Sequence, residues 1–229
     1  AHAASLGAKT YFVSVRGQDV PGTWVSDKLP KLDVDARVFS DPSRPTTVKK
    51  RYRAHGKTLL RVNDLRDHQI DKKTQEDLFN ECLDIVEDVD VIIFSDFGYG
   101  LFSAELVEKI SMLGREKGIV MAADSQSSSQ IGDLSQFRGL SLLTPTEKEA
   151  RLAVRDRHAG LVNVAQRLQE LVSAQNVIVT LASEGAFLHA PRGGQDSWDD
   201  DRIPALNGSP RDVDQELSNS SVTCSGIAR

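Results

Sequence analysis

The sequence has little of three things: long apolar runs, cysteine and positive charge. Its longest apolar runs, such as Val89–Phe94 and Val177–Ala182, are interrupted by polar residues long before the ~20 residues that a membrane-spanning helix needs. Only 2 of the 229 residues are cysteines, and Cys82 and Cys224 have no partner at metal-ligand spacing, so neither a disulfide framework nor a zinc site is expected. The formal net charge is -5, whereas a general nucleic-acid surface needs clustered positive charge. We therefore expect no membrane span, no nucleic-acid partner, and a reducing compartment such as the cytoplasm.

What is present suits one globular core. Of the residues, 39% are hydrophobic and 27% charged, so a chain of this length can bury a core without a metal or disulfide staple. Ala1–Gly7 is typical of the last turns of a helix that Gly7 closes, and it has none of the regions of a signal peptide. We expect that further residues, including an N-terminal strand, precede Ala1 in the parent protein.

Apolar strands and amphipathic helices alternate along most of the chain. Thr74 is predicted to cap a helix with Leu78, Cys82 and Ile85 on one face, and a buried strand follows it. The other predicted strands are Thr10–Val15, Thr46–Arg53, Thr58–Val62, Val120–Ala123, Leu140–Leu143 and Val177–Leu181. The other predicted helices are Trp24–Leu29, one from Ser103 to Gly118, Thr146–Val154 and Leu161–Val172. This alternation predicts an α/β fold with a parallel sheet covered by helices, followed by a polar end from Gly193 onward.

Polar groups follow three of these strands at the point where each ends. Asp96 and Asp124 follow two of them, and Thr144–Glu149 follows the third. Since ligands of open α/β sheets bind at the carboxyl ends of the strands, these groups are expected at one rim, with carboxylates for a hydrated Mg²⁺ and amides for phosphate. The alternative is that Asp124 and Thr146 only cap the helices that follow them.

The segment Arg44–Arg53 is strongly basic. In a strand, side chains alternate between two faces, so Thr47, Lys49, Arg51 and Arg53 share one face, which Arg61 of the return strand can join. Such a face is suited to bind a sugar phosphate or a nucleotide. The alternative is an edge strand that lysine protects from pairing.

Six segments together resemble the ribokinase/PfkB family of sugar kinases, and within it the bacterial heptose 7-phosphate kinases. The segments are Arg44–Arg53 (RPTTVKKRYR), Leu59–Asn63, Ser95–Leu101 (SDFGYGL), Ala123–Gln126, Thr144–Ala150 (TPTEKEA) and Thr180–Ala186 (TLASEGA). The resemblance implies a three-layer α/β sandwich over about 1–213, with a mostly parallel central sheet and a small β lid over about 34–63. It also implies transfer of the γ-phosphoryl group of ATP, with Mg²⁺, to a sugar-phosphate hydroxyl, and a homodimer formed through the lid.

The resemblance also assigns roles to individual residues. The residues matched to the acceptor's phosphate are Lys49, Arg51 and Arg61, and those matched to the loop that lines the sugar are Asp96, Gly98 and Gly100. The residues matched to the nucleotide side are Asp124, Thr146, Thr180 and Gly185. Glu149 is matched to the glutamate that organises Mg²⁺.

The sequence departs from the family at several positions. Thr146 stands where the family usually has Asn, Tyr99 where this branch usually has Lys, and Ala182 where Gly is common. The family's Gly-Ala-Gly-Asp turn, which supplies the anion hole and the catalytic base, is expected after Val213, but 214–229 is a polar tail without it. The catalytic base is therefore unknown. The sequence is consistent with two hypotheses. The protein is either a sugar kinase whose intact form has this turn, or a catalytically silent relative that binds a nucleotide, a sugar phosphate or a partner.

Overall fold

The computed structural model describes residues 2–55, 57–125, 133–191, 198–205 and 226–228. The strands are β1 (Thr10–Arg16), β2 (Val34–Ser40), β3 (Val48–Ala54), β4 (Lys57–Asp64), β5 (Val91–Asp96), β6 (Val120–Ser125), β7 (Leu142–Leu143), β8 (Asn176–Thr180), β9 (Ala186–Pro191), β10 (Trp198–Ile203) and β11 (Gly226–Ala228). The helices are α1 (His2–Ser5), α2 (Val20–Lys28), α3 (Lys72–Ile85), α4 (Ala104–Glu116), α5 (Glu147–Ala153) and α6 (Leu161–Val172). Gln126, Cys224 and the predicted site of the Gly-Ala-Gly-Asp turn lie outside the described residues.

Within the described residues, the main sheet has the strand order β10-β9-β8-β7-β6-β5-β11-β1-β2. Strands β5 to β8 are parallel neighbours, and so are β1 and β2. The strands β9, β10 and β11 are antiparallel to their partners. The prediction of an α/β fold with a mostly parallel sheet is confirmed. Because β5 to β8 run in the same direction, their carboxyl ends meet at one edge, where Asp96, Asp124 and Thr180 lie.

Helices cover both faces of the sheet, as adjacent residues of β1 show. Tyr11 belongs to the large core cluster, together with residues of α3, α4 and α6. Phe12 points the other way and packs in a second cluster with Leu29 and Val34. Strands with an apolar residue on both faces occur in sheets that helices cover on two sides, which gives three layers.

Two helices begin earlier than the sequence predicted. Helix α2 begins at Val20 rather than at Trp24, because the Asp19 side chain accepts a hydrogen bond from the Gly22 amide at 2.8 Å and Pro21 suits the first turn. Helix α3 begins at Lys72, with Asp71 rather than Thr74 as its cap. In both cases an aspartate upstream of the apolar pattern starts the helix.

The range 34–63, in which a lid was predicted, is divided between two sheets. Strand β2 pairs along its whole length with β1, from Thr10 opposite Val34 to Arg16 opposite Ser40, so it belongs to the main sheet. The rest of the range forms a separate two-stranded sheet of β3 and β4, which we call the ribbon. The polar end from Gly193 onward includes two strands of the main sheet, β10 and β11. Strand β10 is rich in aspartate and lies at the edge, where the alternation of apolar residues is weak.

Candidate functional site

The loop after β5 is organised by the carboxylate of Asp96, which is only 5% exposed. Its Oδ1 accepts the Gly98 amide at 2.8 Å, and its Oδ2 lies 3.4 Å from the Ser125 hydroxyl and 3.3 Å from the Gln136 amide nitrogen. Burial raises the pKa of Asp96, although the Gly98 amide and the Ser125 hydroxyl act in the opposite direction. Asp96 has no cationic partner among the residues that the structure describes, and a buried carboxylate of this kind at the carboxyl end of a central strand is typical of a functional site.

The two glycines of this loop have left-handed backbone conformations, with φ of 69° at Gly98 and 72° at Gly100. At Gly100 a Cβ would lie 2.1 Å from the carbonyl oxygen of His68, and the Gly100 carbonyl accepts the Ile70 amide at 3.0 Å. The segment that leaves the ribbon therefore packs directly on this loop, and any side chain at Gly100 would separate the two.

One face of the ribbon is cationic, whereas the other mixes apolar and charged side chains. Residues directly opposite across an antiparallel pair share a face, and Arg51 lies opposite Arg61 while Lys49 lies opposite Asn63. The ammonium group of Lys49 lies 4.5 Å from the ring centroid of Phe97 and 5.1 Å from that of Tyr99. The predicted placement of Arg61 beside Arg51 is confirmed, and the cationic face contacts the loop after β5.

A buried ion pair at the base of the ribbon joins three segments of the chain. The Arg44 Nε donates to Asp41 Oδ2 at 2.7 Å, Nη1 to the Tyr99 carbonyl at 2.7 Å, and Nη2 to the His68 carbonyl at 2.5 Å. Burial alone raises the pKa of Asp41, but the Ser43 hydroxyl and amide and the Arg44 guanidinium together lower it. Sequence reasoning assigned Arg44 no separate role; the only local signal was the Asp-Pro-Ser turn chemistry before it.

A second set of hydrogen bonds holds the ribbon's first residues to β1 and α2. Asp19 accepts the Thr46 amide at 2.8 Å and the Thr46 hydroxyl at 2.6 Å, and the Gly17 amide donates to the same hydroxyl oxygen at 2.9 Å. The pKa of Asp19 is lowered, mainly by the hydrogen bond from the Thr46 hydroxyl and further by the backbone amides of Thr46 and Gly22, although burial acts in the opposite direction. The base of the ribbon is thus fixed to the carboxyl end of β1.

The predicted Mg²⁺ glutamate is part of a helix cap. Thr146 and Glu149 form a capping box at the start of α5: the Thr146 amide donates to Glu149 Oε2 at 2.8 Å, and the Glu149 amide donates to the Thr146 hydroxyl at 3.3 Å. Glu149 is 8% exposed. The capping alternative is therefore correct for Thr146, and this geometry holds the Glu149 carboxylate at the carboxyl end of β7.

The predicted nucleotide-side residues lie on neighbouring strands. Thr146 and Thr180 form a parallel bridge, and the Thr180 amide donates to the Pro145 carbonyl at 2.8 Å. Beyond them, Gly185 has φ of 93°, and a Cβ there would lie 2.0 Å from the Ile203 carbonyl oxygen. Asp124 is placed separately, at the end of β6 in register with Ser95. The structure therefore brings Thr146, Glu149 and Thr180 together.

No group of three His, Cys, Asp or Glu side chains among the described residues is arranged to hold a metal ion. No helix in the described part of the chain is long and apolar enough to cross a membrane.

Comparison with known proteins identifies the family. The model of the pfkB family carbohydrate kinases matches residues 1–198. The chain belongs to this family. Curated relatives include the bifunctional protein HldE of Bradyrhizobium sp., 31% identical over 216 residues, a match that covers 92% of this chain and 42% of the relative. The bifunctional protein HldE of Helicobacter hepaticus is 30% identical over 186 residues, covering 79% of this chain and 38% of the relative. The chain thus spans about two fifths of the length of these relatives.

Solved structures of pfkB-type kinases share the fold. The ribokinase of Giardia lamblia has a TM-score of 0.68 at 14% identity, with coverage of 93% of this chain and 69% of the other. The tetrameric inhibited form of phosphofructokinase-2 from Escherichia coli has a TM-score of 0.67 at 16% identity, with coverage of 90% and 66%. The predicted ribokinase-like fold is confirmed.

Proposed function

We propose that the intact protein transfers the γ-phosphoryl group of ATP to a sugar phosphate. We propose further that this sugar phosphate is a heptose 7-phosphate and that its anomeric hydroxyl accepts the phosphoryl group. Membership of the pfkB carbohydrate kinases supports the reaction class. The acceptor follows from the resemblance to heptose 7-phosphate kinases and from the cationic face of the ribbon. The cytoplasm, which supplies ATP, is the compartment that we propose.

The pairing of Arg51 with Arg61 is the observation that carries the proposal. Like charges directly opposite in a ladder destabilise a sheet, and neither guanidinium has a carboxylate partner within the described residues. A phosphate placed between the two removes this repulsion and accepts paired hydrogen bonds from each fork. Lys49, on the same face, brings this anion site against the loop after β5.

The other site residues have proposed roles in binding the sugar and the nucleotide. Asp96 accepts a hydrogen bond from a sugar hydroxyl and fixes Gly98 and Gly100, so that the acceptor hydroxyl is oriented towards the edge of the sheet. Thr180, Gly185 and Asp124 bind or border the nucleotide at the ends of the neighbouring strands. We assign no general base to a described residue.

The carboxylates present fit a hydrated Mg²⁺ rather than an ion enclosed by protein ligands. Mg²⁺ keeps several waters and needs only one or two carboxylates besides the substrate phosphates. Glu149, held by its capping box with Thr146, would hold the waters of the ion. When bound, Mg²⁺ neutralises charge on the phosphoryl oxygens.

The ribbon also supports the proposed homodimer. The face opposite the cationic one carries the apolar residues Tyr52, Leu60 and Val62, which are 53%, 54% and 42% exposed, beside the charged Lys50 and Asp64. A two-stranded ribbon is marginally stable alone in water, and a second copy of the same face would cover these side chains. We propose a homodimer in which two ribbons pack against each other.

The test is a coupled ADP-release assay of the intact protein with Mg-ATP and heptose 7-phosphate. The proposal expects turnover that depends on the sugar phosphate, and little turnover with the unphosphorylated heptose. The 229-residue chain, assayed beside it, should show no release above background, because it lacks the anion-hole turn and the base. ATP binding by calorimetry without turnover in the intact protein would favour the silent relative. Robust turnover by the short chain would show that another of its residues acts as the base.

A further inference from the structure

Among the described cationic residues of the candidate site, Arg44 is the most buried, since its side chain is only 6% exposed. A buried charge is costly unless it is paired, and Asp41, whose side chain is 2% exposed, provides the pairing at 2.7 Å. The pair alone would satisfy the charge. The remaining donors of the guanidinium are nevertheless used for two backbone carbonyls far apart in sequence, those of Tyr99 and His68.

These two carbonyls belong to the two surfaces between which an acceptor has to fit. Tyr99 is in the loop that Asp96 organises, and His68 is in the segment that follows β4. The same two segments also meet where the Ile70 amide donates to the Gly100 carbonyl at 3.0 Å. Arg44 itself precedes β3, so a single planar group joins the start of the ribbon, its end and the loop.

We propose that Arg44 is a positioning residue for the acceptor: its guanidinium fixes the loop after β5 relative to the cationic face of the ribbon. A sugar phosphate held at one end by Arg51 and Arg61 then meets the loop at the other end. This inference rests on the proposed function and deepens it, since it names what sets the spacing of the acceptor site. Lysine cannot replace arginine here, because a single ammonium cannot span three acceptors in a planar fork.

The first experiment needs no substrate. Amide hydrogen exchange is compared, by mass spectrometry of the intact protein, between wild type, Arg44→Met and Arg66→Met. Arg66 is an exposed arginine of the same return segment, and its one hydrogen bond within the described residues is to the Leu65 carbonyl. We expect exchange around Ile70 and in peptides over 97–101 to rise about tenfold or more in Arg44→Met only, since the bonds between the two segments open. Unchanged exchange, or an equal rise in Arg66→Met, would overturn the proposal.

The second experiment separates positioning from simple loss of stability. In the ADP-release assay, Arg44→Lys keeps the charge and the stem, and is expected to raise KM for the sugar phosphate about tenfold or more while KM for ATP stays within about twofold. A parallel loss for both substrates would indicate a general structural role and would contradict the proposal. If Arg44→Met does not fold, Arg44→Lys carries the exchange measurement as well. If the wild-type protein phosphorylates no sugar phosphate, the proposed function fails, whereas the exchange result still decides whether Arg44 joins the two segments.

Discussion

Arg51 and Arg61 lie directly opposite each other across the ribbon, on the face that carries Lys49. The pairing is unfavourable in the free protein and becomes favourable when an anion lies between the two guanidiniums. We therefore propose that the ribbon selects its ligand by charge.

Replacing Arg51 by Ala should raise KM for the phosphorylated sugar by ~10²-fold, because a charge-assisted contact is lost. The unphosphorylated sugar should be little affected. The matched control is Lys50→Ala, since Lys50 lies opposite Val62 on the other face. Equal losses for both sugars, measured by initial rates of ADP release, would show that Arg51 does not bind the acceptor's phosphate.

Replacing Asp96 by Asn should stabilise the fold and impair the enzyme. Burial raises the pKa of Asp96, so the folded state holds the proton more tightly than the unfolded chain does. Stability is therefore lost as the pH rises from the ordinary carboxyl range through the raised pKa, and Asn removes this loss. Thermal unfolding should show a higher melting temperature for the variant than for wild type at neutral pH. The difference between the two melting temperatures should shrink as the pH falls towards about 4.

The same Asp96→Asn variant should lose about tenfold or more in kcat/KM for the acceptor, because an ionised hydrogen-bond acceptor is removed. Asp90→Asn is the control, since Asp90 is exposed at the other end of the same strand. A stability margin that does not change with pH, or unchanged acceptor kinetics, would contradict the assignment of Asp96.

Replacing Leu60 by Asp should convert the proposed dimer to a monomer at micromolar concentration, because a carboxylate would be buried between the two ribbons. Light scattering measures the mass. Leu83→Asp, at a residue that is 42% exposed on α3, should leave the mass unchanged. A wild-type protein that is already monomeric at this concentration would rule out the ribbon dimer.

Replacing Ala182 by Gly should be stabilising by up to about 1 kcal/mol, since Ala182 has φ of 52° and a left-handed alanine costs roughly 1–2 kcal/mol against about 0.5–1 for the entropy of glycine. Urea unfolding measures the change. Ala190→Gly in the extended strand β9 should instead lose about 0.5–1 kcal/mol. The prediction fails if both substitutions destabilise equally.

Sequence periodicity was sufficient for the elements whose apolar residues repeat. Helix α6 was predicted with its observed bounds, because Val164, Leu168 and Val172 recur on one buried face. The resemblance added the family and the order of the site segments. Alternation in a strand correctly placed Lys49, Arg51 and Arg61 on one face. It did not anticipate the register shift between Tyr52 and Arg53, which separates Arg53 from the regular alternation, or that β3 begins after Thr47.

The remaining features depend on contacts that are distant in sequence. Asp19 and Thr46 are 27 residues apart, and Arg44 and Tyr99 are 55 apart, so no local pattern reveals that they bond. Strand β2 was placed in the lid because only its pairing with β1 shows that it belongs to the main sheet. The capping box of Thr146 and Glu149, by contrast, is a local feature of the sequence. The same glutamate caps the helix and belongs to the proposed ion site.

The edge of the main sheet at β10 has a consequence for solubility. Asp199, Asp200 and Asp201 are consecutive and exposed, so carboxylates project from both faces of the outermost strand. Asp200 also meets the His189 ring at 2.7 Å, which ties the strand to its inner neighbour. A strand from another molecule that approached this edge would bring carboxylates against carboxylates. At this edge, therefore, the protein is protected from intermolecular sheet extension and the aggregation that follows it.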